Sequence, residues 1–190
     1  MGEMISLKKI ILVALLTTLS GCKKEDKLSV YQEKSNGLIK QILVSNESEC
    51  NCIIEPDNTK STIQTLSADN PKRNYKNIFE NELSINNTFL NKSNELTKLY
   101  SLDKSLNKNY KILKKEELFS LLKKYKGFDK LDEITKICPK GWFSFSPPIF
   151  NNTFDKAIIS YSFYPCGSIN LYEFKNGKWK FVKIIERWIS

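Results

Sequence analysis

The sequence predicts an α+β fold, with helices in the first two-thirds packed with a C-terminal antiparallel β-meander of about four strands. Three observations carry that expectation. Thirteen of the 22 aromatic residues fall from Cys138 onward, together with most of the alternation of apolar and polar residues that marks a half-buried sheet. Upstream, apolar residues recur at one-turn spacing in separate segments, the pattern of amphipathic helices. Asn176-Gly177 stands between two alternating segments, and Asn-Gly is the strongest short hairpin signal because a type I′ turn needs positive φ at both positions. A chain of 190 residues suits one domain, long enough to bury a core unaided.

Taken in order, the N-terminus reads as an address. Lys8 and Lys9 precede an uncharged run from Ile10 to Gly21, which stops at Cys22 before Lys23, Lys24, Glu25 and Asp26. The run is about half the ~20 residues that a membrane-spanning helix needs, so it predicts a signal segment. Leu19, Ser20, Gly21 and Cys22 match the lipobox, and on these residues the chain resembles bacterial lipoprotein precursors. The resemblance implies cleavage before Cys22 and lipidation of that cysteine, whose several acyl chains anchor a protein that one chain would not. It divides the chain into a signal peptide (1–21), a lipidated tether (22–28) and one domain (29–190). The expected location is the bacterial envelope, with the outer membrane favoured because Lys23 is not an inner-membrane retention aspartate.

Within the mature chain, Leu38, Ile39, Ile42 and Leu43 share one face and predict a helix over 35–44. Ile53 and Ile54 before Pro56 suggest a short strand. The Asn-, Lys- and Ser-rich stretch 69–110 has apolar positions spaced for short helices. KKEELFSLLKKY (114–125) predicts a helix, with Leu118, Leu121, Leu122 and Tyr125 on one face, its glutamates leading and its lysines trailing as the helix dipole prefers, and Gly127 ending it. Strands are expected at about 142–150, 156–164, 169–174 and 178–189. In the second, Ala157, Ile159, Tyr161 and Phe163 form the buried face, with Ser160 and Ser162 opposite. The Asn-Gly turn sets Phe174 opposite Trp179 and Tyr172 opposite Phe181. The tail from Ser146 (SPPIF, KAII, CG, NGKWK, WIS) resembles the ends of bacterial envelope lipoproteins of small paralogous families, which supports the fold and the address and brings no catalytic residue with it.

Four cysteines remain besides Cys22, and an even count in an exported chain predicts disulfides. If the strands at 142–150 and 156–164 form a hairpin near Asn152, Cys138 and Cys166 meet at its open end, leaving Cys50 and Cys52. A crossed arrangement, each of Cys50 and Cys52 tied to one of the later pair, is the alternative. Glu47, Glu49, Cys50, Cys52 and Glu55 would be the metal reading, but the C-x-C spacing is shorter than zinc sites use, and no metal or other cofactor is expected.

The absence of histidine excludes Ser-His-Asp and Cys-His catalysis and imidazole metal sites. The net charge of +9 comes almost wholly from lysine. Only Arg73 and Arg187 supply the planar fork that base readout favours, so nucleic acid is not an expected partner. Carboxylate pairs survive as candidates for glycan hydrolysis: Glu116 with Glu117, Asp132 with Glu133, and Glu173 with Glu186. Ser101 to Lys104 and Ser105 to Lys108 match the bare spacing of Ser-Lys catalysis, as chance allows in this composition. Trp142, Trp179 and Trp188 are candidates for a binding surface, with a core role as the competing reading. The expectation is a lipid-anchored, non-enzymatic envelope binding or interaction module with a protein or glycan partner, and the alternative is a carboxylate-dependent hydrolase of envelope glycans.

Overall fold

The structure is a computed structural model and describes residues 26–46, 51–124, 129–163 and 165–189. The signal segment, Cys22, Glu47, Glu49, Cys50, Tyr125 and Gly127 lie outside the described residues. The fold is α+β, with helices between residues 27 and 137 followed by antiparallel strands within a mixed sheet.

Helix α1 (Lys27–Ser45) is longer than its apolar stripe predicts. The Asp26 side chain accepts from the Leu28 backbone N–H at 3.2 Å, an N-cap that satisfies one of the free donors at a helix start. Lys27 and Leu28, read from sequence as tether, are therefore the first turn of the helix. Tyr31, Ser35, Leu38, Ile39, Ile42 and Leu43 face inward.

Strand β1 (Cys52–Ile54) leads to three short helices, α2 (Thr62–Asp69), α3 (Tyr75–Leu83) and α4 (Asn87–Leu96). The asparagines of this stretch have structural work here. Asn74 accepts from the Asn77 N–H and Asn86 from the Phe89 N–H, so each starts a helix by capping it. Strand β2 (Lys111–Leu113) precedes α5 (Lys115–Lys124) and α6 (Asp129–Ile137), after which come β3 (Trp142–Phe145), β4 (Ile149–Phe150), β5 (Lys156–Phe163), β6 (Cys166–Lys175) and β7 (Lys178–Ile189).

The seven strands form one sheet in the order β2-β1-β3-β5-β6-β7, with β4 also paired to β5. Strands β1 and β2 pair in parallel, as do β1 and β3, and the rest pair antiparallel. The meander is thus one part of a larger mixed sheet. The strand expected at 142–150 is two strands, because Pro147 and Pro148 have no N–H for a ladder. Their carbonyls are taken from opposite sides of the sheet, Pro147 O by Thr62 Oγ1 at 2.7 Å and Pro148 O by Tyr31 Oη at 3.0 Å.

The sheet is covered on both faces. Ala157, Ile159, Phe143 and Trp179 pack with α1 in the largest cluster, while Ile158, Ile169 and Leu171 pack with Leu66, Phe79 and Leu90 of α2–α4. A third cluster joins Cys52, Leu113 and Trp142 to Ile134 and Cys138, with Leu118 and Leu121 of α5 against it. The serine face of β5 is accordingly inside the molecule, with Ser160 only 8% exposed.

The Asn176-Gly177 turn has φ of 54° and 75°, and it sets Phe174 against Trp179 and Tyr172 against Phe181. The first pair is at 5.1 Å between ring centroids. Gln41 of α1 reaches the backbone of Trp179 in both directions: its amide donates to the Trp179 carbonyl, and its oxygen accepts from the Trp179 N–H at 2.9 Å. Those backbone groups point away from β6, so Gln41 caps the free edge of the sheet where bare polar groups invite unwanted pairing. Farther along, Val182 and Ile185 are extra residues in β7 at two register shifts, and such bulges also blunt an edge. Phe181 is 54% exposed, so of the aromatics that the turn pairs across the ladder it is a surface residue on this edge strand and not part of the core.

Candidate functional site

Cys52 and Cys138 form a disulfide with a sequence separation of 86 residues. The expected Cys138–Cys166 bond is not the one made. Cys138 does not extend β3; its N–H closes the last turn of α6 on the Ile134 carbonyl at 2.8 Å. The chain then reverses at Gly141, φ 89°, and Cys52 lies beside Trp142 in the β1–β3 ladder. Both bonded cysteines are fully buried, and Cys166 is exposed and in no disulfide among the described residues. The sulfur of Cys52 is thereby committed to Cys138 rather than left as a metal-binding thiolate.

The three tryptophans have different fates. Trp142 packs beside the disulfide, and Trp179, 4% exposed, packs against Phe150 and Phe174. Both are core residues. Trp188 is half-buried and borders two adjoining cavities of about 350 Å³ each, which share Leu66, Asp69, Ser160 and Trp188 in their walls. Together they form a groove on the face of the sheet that carries α2–α4, of a size that suits a small ligand.

Trp188 is held there by its neighbour across the ladder. Gly167 pairs with Trp188, and a Cβ at position 167 would lie 2.2 Å from Cε2, 2.3 Å from Cζ2 and 2.5 Å from Nε1 of the indole. Only a glycine lets the ring lie down on the backbone of β6. Hydroxyls border the groove beside it: Ser144 and Ser162 come from β3 and β5, and neither side chain makes a hydrogen bond among the described residues. Ser146 and Ser160 tie their strands together, the Ser160 N–H donating to Ser146 Oγ at 3.0 Å and the Ser146 N–H to the Ser160 carbonyl at 2.8 Å.

Acidic groups supply the rest. Glu55, Asp57 and, at the end of α2, Asp69 line the groove. Glu186 enters from β7, two residues before Trp188. Its carboxylate accepts from Tyr75 Oη at 3.1 Å and Asn70 Nδ2 at 3.4 Å and stands 3.7 Å from Arg73 Nε. The turn between α2 and α3 is pinned to β7 by these contacts, and the Glu186 side chain is fixed in position. Burial, helped by the charge of Glu186, pushes the Tyr75 hydroxyl up to about 12, so it remains a donor over the ordinary pH range. Among the described residues, no lysine or arginine lines the groove.

The sequence-predicted carboxylate pairs are not assembled here. Glu133 pairs with Lys136 on α6, and Glu116 and Glu117 sit in the exposed first turn of α5. Glu186 faces Ile169 on β6, while Glu173 lies four residues along that strand, or about 13 Å at the rise of a strand. That exceeds the separation of either glycosidase geometry. Asp103 and Asp155 are held below the usual carboxylate range, chiefly by the hydrogen bond from Lys40 and by that from the Asn151 amide respectively. A general acid needs the opposite direction. Of the Ser-Lys candidates, the Ser101 N–H is held by Gln32 and the Ser105 N–H by Asp103.

The groove itself was not foreseen. Trp188 was legible as one of three candidates, and the only local signal that set it apart was Gly167 in a strand, a residue that marks close approach of another group. Compared with protein-family models, curated proteins and solved structures, the chain shows no match.

Proposed function

We propose that this chain is a lipid-anchored bacterial envelope protein that acts without catalysis, as a binding module whose ligand site is the Trp188 groove. The observation that carries the binding reading is the indole laid over Gly167 beside hydroxyls and a fixed carboxylate. A rigid apolar plane edged by polar groups is the usual composition of a small-ligand site. The lipobox residues Leu19 to Cys22 support the anchor. From Cys22 to the first residue of α1 is five residues, a reach of at most about 18 Å, so the domain rides close to the bilayer with Lys23, Lys24 and Lys27 near its headgroups. The outer membrane is the favoured location, because Lys23 after the lipidated cysteine is not an inner-membrane retention aspartate.

Two measurements test this reading. Clickable fatty acid should label the protein, and Cys22→Ser should abolish the label; label that persists on the variant defeats the anchor. A photo-crosslinking residue at Ser162 should capture a ligand from intact envelopes, whereas one at Lys140, away from the groove, should not. Equal capture at the two positions, or none at Ser162, defeats the binding site.

A further inference from the structure

We infer that the ligand of the Trp188 groove is an uncharged sugar, with one pyranose ring stacked on the indole. The inference rests on the groove being the ligand site and adds the chemical class. A pyranose has an apolar face of C–H bonds and a rim of hydroxyls, so it needs a flat apolar surface bordered by hydrogen-bonding groups. The Trp188 ring supplies the surface, and it lies so close over Gly167 that a Cβ there would come within 2.2 Å of it, so one face of the ring rests on the β6 backbone. The bordering groups have the right polarity. Asp69 and Glu186 bring acceptors, each carboxylate able to take two hydroxyl donors, and the Ser144 and Ser162 hydroxyls can donate or accept.

Charge narrows the class further. The protein carries +9 overall, yet among the described residues the ionisable groups bordering the groove are Glu55, Asp57, Asp69, Glu186 and Tyr75, with no cation among them. A phosphorylated ligand, an acidic sugar or a nucleic acid would meet like charge there, which disfavours its binding. A cationic ligand is the remaining competitor. Glu186 already faces the Arg73 guanidinium and the Tyr75 hydroxyl, which offsets part of the charge at that one of the four carboxylates, and the cationic probe in the titration separates the two classes.

The test is calorimetric titration of the purified full-length protein in a detergent without sugar headgroups. The probes are maltotriose, cellotriose, chitotriose, trigalacturonate and trilysine. At least one of the three neutral trisaccharides should bind, with an affinity changing less than about twofold between about 50 and 500 mM salt, and trigalacturonate should not. Trp188→Ala and, independently, Gly167→Val should each weaken binding by about tenfold or more, and Asp69→Asn by less, with unchanged far-ultraviolet circular dichroism. Because Gly167→Val alters the backbone floor, Trp188→Phe is the conservative control and should retain most of the affinity. Binding of trilysine alone, or no binding of any neutral trisaccharide, overturns the sugar. If the Ser162 crosslink still captures a ligand in that case, the groove stands as a binding site and the sugar class alone is withdrawn; if neither experiment gives binding, both fall.

Discussion

The bond between Cys52 and Cys138 offers the sharpest test of how this fold is held. It joins a three-residue strand in the first third of the chain to the end of a helix 86 residues later. In the chain-entropy account, closing a loop of that length in the unfolded state is worth about 4.6 kcal/mol, with typical disulfides nearer 2 to 4. Domain stabilities are about 5 to 15 kcal/mol, so the bond is a large share of the total. Cys138→Ala should therefore lower the urea midpoint by about 1 to 2 M, taking m as about 2 kcal/mol/M. Cys52→Ala should do the same, and the double variant should cost little more than either single one, because both changes delete the same link. Cys166→Ala, at an exposed position, should leave the midpoint within experimental scatter. The assay is equilibrium urea unfolding followed by circular dichroism, with a peptide map of the unreduced protein alongside. A map joining Cys138 to Cys166, or a Cys166→Ala loss as large as that of Cys138→Ala, would refute the pairing and with it the placement of α6 against β1.

Three further outcomes are expected. Gly177→Val should cost about 1 to 3 kcal/mol in the same urea assay, since its φ of 75° is strained for a β-branched residue; a variant as stable as the parent would mean that the turn is not type I′. The Asp103 carboxyl, held at about 2 chiefly by the Lys40 hydrogen bond and next by Ser105, has its pKa depressed by folding, so its contribution is complete above pH 4 and is lost as pH falls toward 2. Both partners are partly exposed, so screening limits the effect to about 1 kcal/mol or less, and Asp103→Asn should remove that part of the acid sensitivity. At the alkaline end, burial raises the hydroxyls of Tyr31, Tyr100 and Tyr172. The unfolded state then releases protons that the folded state retains, and stability should fall above pH 10 by about 1.4 kcal/mol per pH unit for each tyrosine; Tyr31→Phe should reduce that slope in urea titrations, and an unchanged slope would count against its burial.

The sequence by itself determined what depends on local chemistry. The Asn-Gly turn, the cross-strand pair Phe174 with Trp179, the inward stripe of α1 and the helix of residues 115–124 are all written in neighbouring residues, because a turn type, a period of two or a period of 3.6 is fixed within a few positions. The even cysteine count pointed to a disulfide for the same reason, as a property of composition.

What only the tertiary structure decided is what comes from distant segments. Short strands β1 and β2 carry little pattern of their own, and their parallel places in the sheet decide which cysteine Cys138 meets. The serine face of β5 looks solvent-facing in sequence, but α2 and its neighbours cover that side of the sheet. Trp142, Trp179 and Trp188 are equivalent as letters, and their separation into two core residues and one groove residue depends on which helix lies over each strand. The seat of Trp188 requires Gly167, 21 positions earlier, to be its partner across the ladder, and that register belongs to the whole β6–β7 pair, including two bulges that no local pattern announces.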